Sequence, residues 1–198
     1  MTRNPPRLPR PSEPRRSFCC AARAWSDDAR LGLFVQIIPV LGARVVQSNG
    51  MLAFLTYDRE HHRIAIARLP GLTEQSDRAA GTDHIAFTHA DLGDLLNTYV
   101  RLKAAGIEPY WCVNHGPTTS MYYKDPDGSR VELQVDNLPT AESVDTWMRS
   151  PDFAANPIGV IFDPDELVAR YAGGEPMDGL TARPPLPEGK GPFDMLRL

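Results

Sequence analysis

The side chains best suited to chemistry in this chain are a few histidines and one glutamate. Glu132 lies in a run, Arg130 to Asp136, whose apolar and polar residues alternate as in a strand with one buried face. Glutamate is mostly exposed, so a solvated strand carboxylate is the ordinary interpretation of Glu132. His84 opens another strand-like run, however, and a histidine and a carboxylate on neighbouring strands suit a divalent metal. Both interpretations remain open at this point.

Three further residues accompany this pair. His115 and Tyr122 precede a tight turn, Asp125-Pro126-Asp127-Gly128, with the proline and glycine positions that a type I turn prefers. In the predicted strand from His61 to Arg68, His62 shares a face with two isoleucines, where a histidine is more often structural than catalytic. If His62 lined an apolar pocket, burial would lower its pKa and leave a neutral base near pH 7.

Two similar sets of elements must position these residues. The first set is predicted as strands over residues 43–47, 51–57 and 61–68, with a hairpin turn at Asn49-Gly50. The second is predicted as a strand over 82–88, a helix from Asp91 to Gly106, a strand over 107–113 and the hairpin around the turn described above. Two such units side by side would curl into a half-barrel with a polar concavity, an α+β fold over residues 18–139, with modules at about 18–70 and 81–139.

The two ends of the chain differ from this middle part. Residues 1–17 are rich in proline and arginine, which predicts a disordered segment, and a short helix is predicted over 27–36. Residues 140–198 form a predicted C-terminal extension with helices over 140–150 and 164–172. From Gly173 onward the chain is rich in proline and glycine and is expected to wrap the surface or to stay mobile.

Composition narrows the classes of function. The chain has 198 residues, 42% of them hydrophobic, enough for a packed core. A net charge of −4 argues against a nucleic-acid partner, and no apolar run approaches the ~20 residues of a membrane span. Two of the three cysteines, Cys19 and Cys20, are adjacent, which makes a poor disulfide framework and favours reduced thiols in the cytoplasm.

Three segments follow one another along the chain: HHRIAI, GTDHIAF and NHGPTTSMYYKDPDGSRVELQVD. These segments and their order resemble the vicinal oxygen chelate superfamily, and within it the type I extradiol dioxygenases of the biphenyl-2,3-diol kind. The resemblance covers about residues 41–137. It implies paired βαβββ modules that form a cup around Fe(II) or Mn(II), held by two histidines and one glutamate. The substrates implied are a small aromatic diol and O₂, and members of the superfamily are often homo-oligomers.

The resemblance also implies a role for each residue named above. His84 and Glu132 match two of the three metal ligands. His62 matches the histidine that handles the catechol proton, and His115 and Tyr122 match pocket residues that hydrogen-bond the developing oxygen charge. A facial triad of two imidazoles and one carboxylate leaves positions open for the diol and for O₂.

The sequence departs from the family at its third ligand, a histidine expected near residues 18–22. Phe18-Cys19-Cys20-Ala21-Ala22 stands there, and no histidine precedes His61. One hypothesis is an out-of-frame translation of this segment, and another is a genuine divergence that leaves the triad incomplete. A cysteine thiolate as the replacement ligand is a third, less favoured because it would change the oxygen chemistry.

Three functions remain open. The first is an Fe(II)-dependent extradiol dioxygenase whose activity depends on the missing ligand. The second is another metal enzyme of the superfamily, a lyase, isomerase or thiol transferase of the glyoxalase or fosfomycin-resistance type. The third is a non-enzymatic module that binds a small aromatic ligand. His62, His115 and Tyr122 favour the first, and the missing ligand favours the third.

Overall fold

The structure is a computed structural model, which describes residues 20–24, 38–71, 81–125 and 128–197. It confirms the predicted α+β class, with two open sheets. The first sheet has the strand order β1-β4-β3-β2. Its strands are β1 (Cys20–Ala24), β2 (Arg44–Ser48), β3 (Leu52–Thr56) and β4 (Ile64–Arg68). β1 pairs with β4 in parallel, and the other neighbours are antiparallel.

The second sheet repeats that order and adds one strand, as β5-β8-β7-β6-β9. Its strands are β5 (His84–Thr88), β6 (Trp111–Asn114), β7 (Thr118–Lys124), β8 (Arg130–Asp136) and β9 (Val160–Ile161). β5 pairs with β8 in parallel, as β1 does with β4. The first and fourth strands of each unit are therefore neighbours, which is the strand order of the βαβββ modules that the resemblance implies.

A helix covers one face of the second sheet and forms the main core. Helix α1 (Leu92–Ala104) begins at Asp91, whose side chain accepts from the Asp94 amide at 2.9 Å, and ends before Gly106, whose φ is +76°. Asp91 and Gly106 thus cap the helix as predicted. The core joins the apolar stripe of α1 to the inner face of the sheet through Leu92, Leu95, Leu96, Tyr99, Leu102, Met121, Tyr123 and Leu133.

The C-terminal extension is ordered by short helices and buried anchors. Its elements are α2 (Ala141–Met148), α3 (Pro151–Ala155), β9, α4 (Pro164–Ala172), α5 (Met177–Thr181) and a 3₁₀ turn (Pro192–Met195). Leu167, Leu180 and Met195 are buried, so the segment after Gly173 wraps the surface. No helix in the described part of the chain is long and apolar enough to cross a membrane.

One predicted strand starts later than expected, and this moves a candidate residue. The Arg63 amide donates to the Leu55 carbonyl at 2.8 Å, and its guanidinium pairs with Asp58, Nη2 to Oδ2 at 2.8 Å. These contacts hold a turn that delays the strand until Ile64. His62 therefore lies before the strand, and the prediction that it shares a strand face with Ile64 and the following isoleucine is wrong.

Other expectations differ in extent or lie outside the described residues. The strand predicted over 107–113 begins only at Trp111, and β9 has no counterpart among the predictions. The predicted disordered segment over 1–17 and the helix over 27–36 fall on residues that the structure does not describe.

Candidate active site

Parallel pairing of β5 with β8 brings His84 and Glu132 together. His84 is opposite Arg130 in the register and Glu132 is opposite Ala86, so the two side chains come from adjacent positions of neighbouring strands. His84 Nε2 lies 3.0 Å from Glu132 Oε2. Glu132 is only 4% exposed, which contradicts the interpretation of this residue as a solvated carboxylate.

Asp83 and Arg130, which sequence reasoning missed, hold the other side of the His84 ring. His84 Nδ1 lies 2.8 Å from Asp83 Oδ2, and Arg130 Nη1 donates to Asp83 Oδ1 at 2.7 Å. A histidine that binds a metal commonly has such a carboxylate on its other nitrogen. The adjacency of Asp83 and His84 in the sequence was the one signal available, and it does not reveal that the carboxylate turns back onto the neighbouring ring.

Mutual hydrogen bonding sets the charges of this pair. The hydrogen bond with Glu132 raises the pKa of His84 to about 9, and the Asp83 contact adds to this, while partial burial opposes it. Burial alone would raise the pKa of Glu132, but hydrogen bonds from His84, Ser120 and Tyr122 outweigh it and place that pKa below its ordinary value. Near pH 7 the pair is therefore an imidazolium and a carboxylate.

Tyr122 links this pair to His115. It lies opposite Glu132 in the β7–β8 register, and its oxygen is within hydrogen-bonding reach of the Glu132 carboxylate and of the His115 Nε2, the latter at 3.1 Å; its single proton can be donated to one of them at a time. Burial, followed by the charge of Glu132, raises the pKa of Tyr122 well above its usual range. Burial also lowers the pKa of His115, so that its imidazole is neutral at pH 7. A neutral base and a protonated phenol thus lie beside the His84–Glu132 pair.

Trp111 forms an aromatic wall that sequence reasoning also missed. Its ring stacks on Tyr122 with centroids 4.6 Å apart and an angle of 27°, and meets the His115 ring edge-on at 5.7 Å. The indole N–H is buried and has no hydrogen-bond partner in the described structure. Trp111 is opposite Tyr122 in the β6–β7 register, which the sequence cannot reveal until the pairing is known.

In the described part of the chain, His62 has no contact with the four candidate residues His84, Glu132, His115 and Tyr122. Its ring packs edge-on against Phe54 at 5.0 Å and lies 4.3 Å from the His61 ring. Its role as the histidine that handles a substrate proton stays a prediction.

The donors present fit part of a metal site. An imidazole nitrogen and a carboxylate oxygen that converge, with a second carboxylate behind the imidazole, suit Fe(II) or Mn(II). Within the described residues there is no group of three or more His, Cys, Asp and Glu side chains that could hold a metal. In the first sheet, Cys20 is opposite Ile64 at the start of β1, the register position that His84 has in β5. The missing ligand is thus expected at a strand position that holds cysteine.

One family profile and two dioxygenase sequences match this chain. The profile of the Glyoxalase/Bleomycin resistance protein/Dioxygenase superfamily matches residues 39–133. The chain is 46% identical over 143 residues to biphenyl-2,3-diol 1,2-dioxygenase 2 of Rhodococcus globerulus, covering 72% of this chain and 75% of that protein. It is 46% identical over 148 residues to biphenyl-2,3-diol 1,2-dioxygenase 3 of the same organism, covering 74% and 78%.

Among solved structures, a lactoylglutathione lyase from Agrobacterium tumefaciens aligns with 63% of this chain and 96% of its own, at 21% identity and a TM-score of 0.45. The extent and identity of the sequence matches, together with the matching profile, determine the family. The chain belongs to the glyoxalase, bleomycin resistance protein and dioxygenase superfamily, also called the vicinal oxygen chelate superfamily.

Proposed function

We propose that this protein is an extradiol ring-cleavage dioxygenase that acts on a catechol-type aromatic diol. The observation that carries this proposal is the juxtaposition of the His84–Glu132 pair with the His115–Tyr122 pair, bridged by the Tyr122 hydroxyl. The two dioxygenases that are 46% identical to this chain support it.

The reaction needs no external reductant. Both atoms of O₂ enter the product as the ring bond next to the diol breaks, leaving a carboxylic acid at one carbon and a carbonyl group at its former neighbour. Residues of the site must therefore accept the diol protons and stabilise the negative charge that develops on oxygen.

Each side chain has a task that its geometry permits. His84 and Glu132 would hold Fe(II), or Mn(II), and the ion when bound supplies the positive charge that stabilises the deprotonated diol. The Tyr122 hydroxyl is placed to donate to a developing oxygen charge, and His115 to accept a proton through Nε2. Stacking against Trp111 restricts the rotation of the Tyr122 ring.

One observation favours a second candidate, a module that binds a small aromatic ligand without catalysis. Among the described residues, no group of three or more His, Cys, Asp and Glu side chains could hold a metal. Such a site would hold metal weakly, while the aromatic wall of Trp111 and Tyr122 would remain available to a flat ligand.

The iron content after anaerobic loading with Fe(II) separates the two functions. For the dioxygenase we expect near one iron per chain, lost in Glu132→Ala, and oxygen uptake with 2,3-dihydroxybiphenyl or catechol equal to the diol consumed. Gln134→Ala is the matched control on the same strand, because Gln134 hydrogen-bonds Thr88 instead of the metal pair. Iron near zero, with tight binding of the diol, would support the ligand-binding module.

The cytoplasmic location and the homo-oligomer stay predictions.

A further inference from the structure

The ring of His115 is held by the C-terminal extension as well as by the sheet. His115 lies in the short connection between β6 and β7, where its amide donates to the Thr118 carbonyl at 2.9 Å. Its Nδ1 hydrogen-bonds the carbonyl oxygen of Ile158, a residue just before β9 and 43 positions further along the chain. One side of the ring thus meets the extension, and the other meets Tyr122.

This contact determines which nitrogen carries the proton. A carbonyl oxygen can only accept, so Nδ1 must donate to Ile158. The ring is neutral, and therefore Nε2 has a free lone pair directed at the Tyr122 hydroxyl, 3.1 Å away. Free histidine favours the opposite tautomer, so the contact with the extension reverses an intrinsic preference.

A buried asparagine builds the loop that presents the Ile158 carbonyl. Asn156 Oδ1 accepts from the amides of Ile158 at 3.2 Å and Gly159 at 2.9 Å, and its Nδ2 donates to the Gly159 carbonyl at 2.9 Å. Arg183 in turn donates to the Asn156 carbonyl at 2.8 Å. Asn156 is 5% exposed, so these bonds are shielded from water.

Gly159 lets this loop approach the histidine closely. Its φ is +118°, and a Cβ built on it would lie 2.5 Å from the Asn114 carbonyl oxygen and 2.9 Å from the His115 Cα. The next residue, Val160, pairs with Asn114 in the sheet. The loop is therefore fixed to the backbone of Asn114, the neighbour of the residue whose side chain it orients.

We infer that Asn156 is a positioning residue for His115: by holding the Ile158 carbonyl at Nδ1 it fixes the tautomer in which the unprotonated Nε2 faces Tyr122. The inference rests on the proposed function only for the use of that lone pair, which would receive the diol proton. The tautomer itself is a property of the folded chain and can be measured without turnover.

The test is nitrogen NMR of metal-free protein labelled with ¹⁵N-histidine, with the His115 signals identified from His115→Gln. In the wild type we expect Nδ1 protonated and Nε2 not, and in Asn156→Ala a mixture or the reverse tautomer. Asn156→Asp, which keeps the acceptor for both amides, should retain most of the wild-type tautomer. Asn156→Ser, whose hydroxyl reaches at most one amide, replaces the alanine variant if that one does not fold.

Asn49 provides the matched control. In the turn between β2 and β3, Asn49 Oδ1 also accepts from two amides, those of Met51 and Leu52, each at 2.8 Å. Asn49→Ala should lower the denaturation midpoint without changing the His115 tautomer. A wild-type tautomer in folded Asn156→Ala or Asn156→Ser, or a changed one in Asn49→Ala, would overturn the inference.

Turnover provides a second readout that separates the inference from the proposed function. If the wild type cleaves a diol, Asn156→Ala should lower kcat by roughly 10-fold or more with a smaller change in KM. A tautomer change accompanied by an unchanged kcat would overturn the catalytic part of the inference. A tautomer change in a protein whose wild type cleaves no diol would leave the positioning of His115 established and would count against the dioxygenase alone.

Discussion

The pKa of His84 in the metal-free protein is a direct measure of the proposed metal pair. Its value of about 9, against an ordinary 6.5, arises first from the hydrogen bond with Glu132. Glu132→Gln removes the negative charge but keeps a side chain of nearly the same size and shape, with one oxygen acceptor. Asp83 remains, so the pKa of His84 should fall by more than about 1 unit without returning fully to its ordinary value. Asp83→Asn should lower it less, because Glu132 is the larger cause.

The same pair makes the stability of the metal-free protein depend on pH. Because the pKa of His84 is raised on folding, the stabilisation is complete below about pH 6.5 and is lost as the pH rises through about 9. The shift sets an upper bound of roughly 3 kcal/mol. The His84 side chain is 32% exposed, and screening by solvent reduces the expected contribution to about 1–2 kcal/mol.

Two measurements check this reasoning. Proton NMR follows the titration of His84, and urea unfolding at pH 6 and pH 9.5 compares the wild type with Glu132→Gln, whose loss of stability over that range should be smaller by about 0.5–1 kcal/mol, because Asp83 retains part of the shift. Asp145→Asn, which breaks an exposed pair with Arg149 at 3.5 Å, should leave the pKa of His84 unchanged. A wild-type titration near 6.5, or one that is unaffected by Glu132→Gln, would refute the geometry of the pair.

Three further predictions follow from other contacts. Gly116→Ala should lower the free energy of unfolding by more than about 2 kcal/mol, because φ is +104° and the new Cβ would lie 2.1 Å from Trp147. Part of this loss should be recovered in a Trp147→Ala background. If the two substitutions lowered the free energy of urea unfolding by fully additive amounts, the clash would be contradicted. Cys112 is buried with its pKa raised to about 12, so native protein should label with a thiol reagent at pH 8 to the same extent as Cys112→Ser, and a lower count in the variant would show the thiol to be reactive. Cys20→His should retain more iron on anaerobic loading than Ala21→His, since neighbours in a strand project to opposite faces, and equal retention would contradict the register argument.

Local patterns were sufficient for much of the fold. The alternation in β8 identified the strand, and the leucine spacing with Asp91 and Gly106 identified α1, because these signals depend on nearby residues alone. The burial of Glu132 was not accessible in this way. β8 lies between β5 and β7, so side chains of both neighbouring strands, His84 and Tyr122, lie beside Glu132, and this position of β8 is a property of the topology.

The parts of the site that the sequence did not reveal depend on contacts between distant residues. β9 has two residues, too few for any period, yet it brings Ile158 to His115. Trp111 reaches Tyr122 only through the β6–β7 register. The alternating pattern extends N-terminally past Ile64, where β4 begins, and so placed His62 in the strand. The pattern cannot detect the Arg63 contacts that form a turn there.

The equal strand order of the two sheets restricts where a third ligand of the proposed metal site can come from. In the second sheet, the first and fourth strands supply His84 and Glu132. The position in the first sheet that corresponds to Glu132 is Ile66, which is apolar and 1% exposed and cannot bind a metal. The other corresponding position is that of Cys20 in β1. Of these two positions in the first sheet, it is therefore the one that could supply a third ligand. An imidazole there should act together with the existing pair, so the iron gained by Cys20→His should be lost again when Glu132→Gln is added.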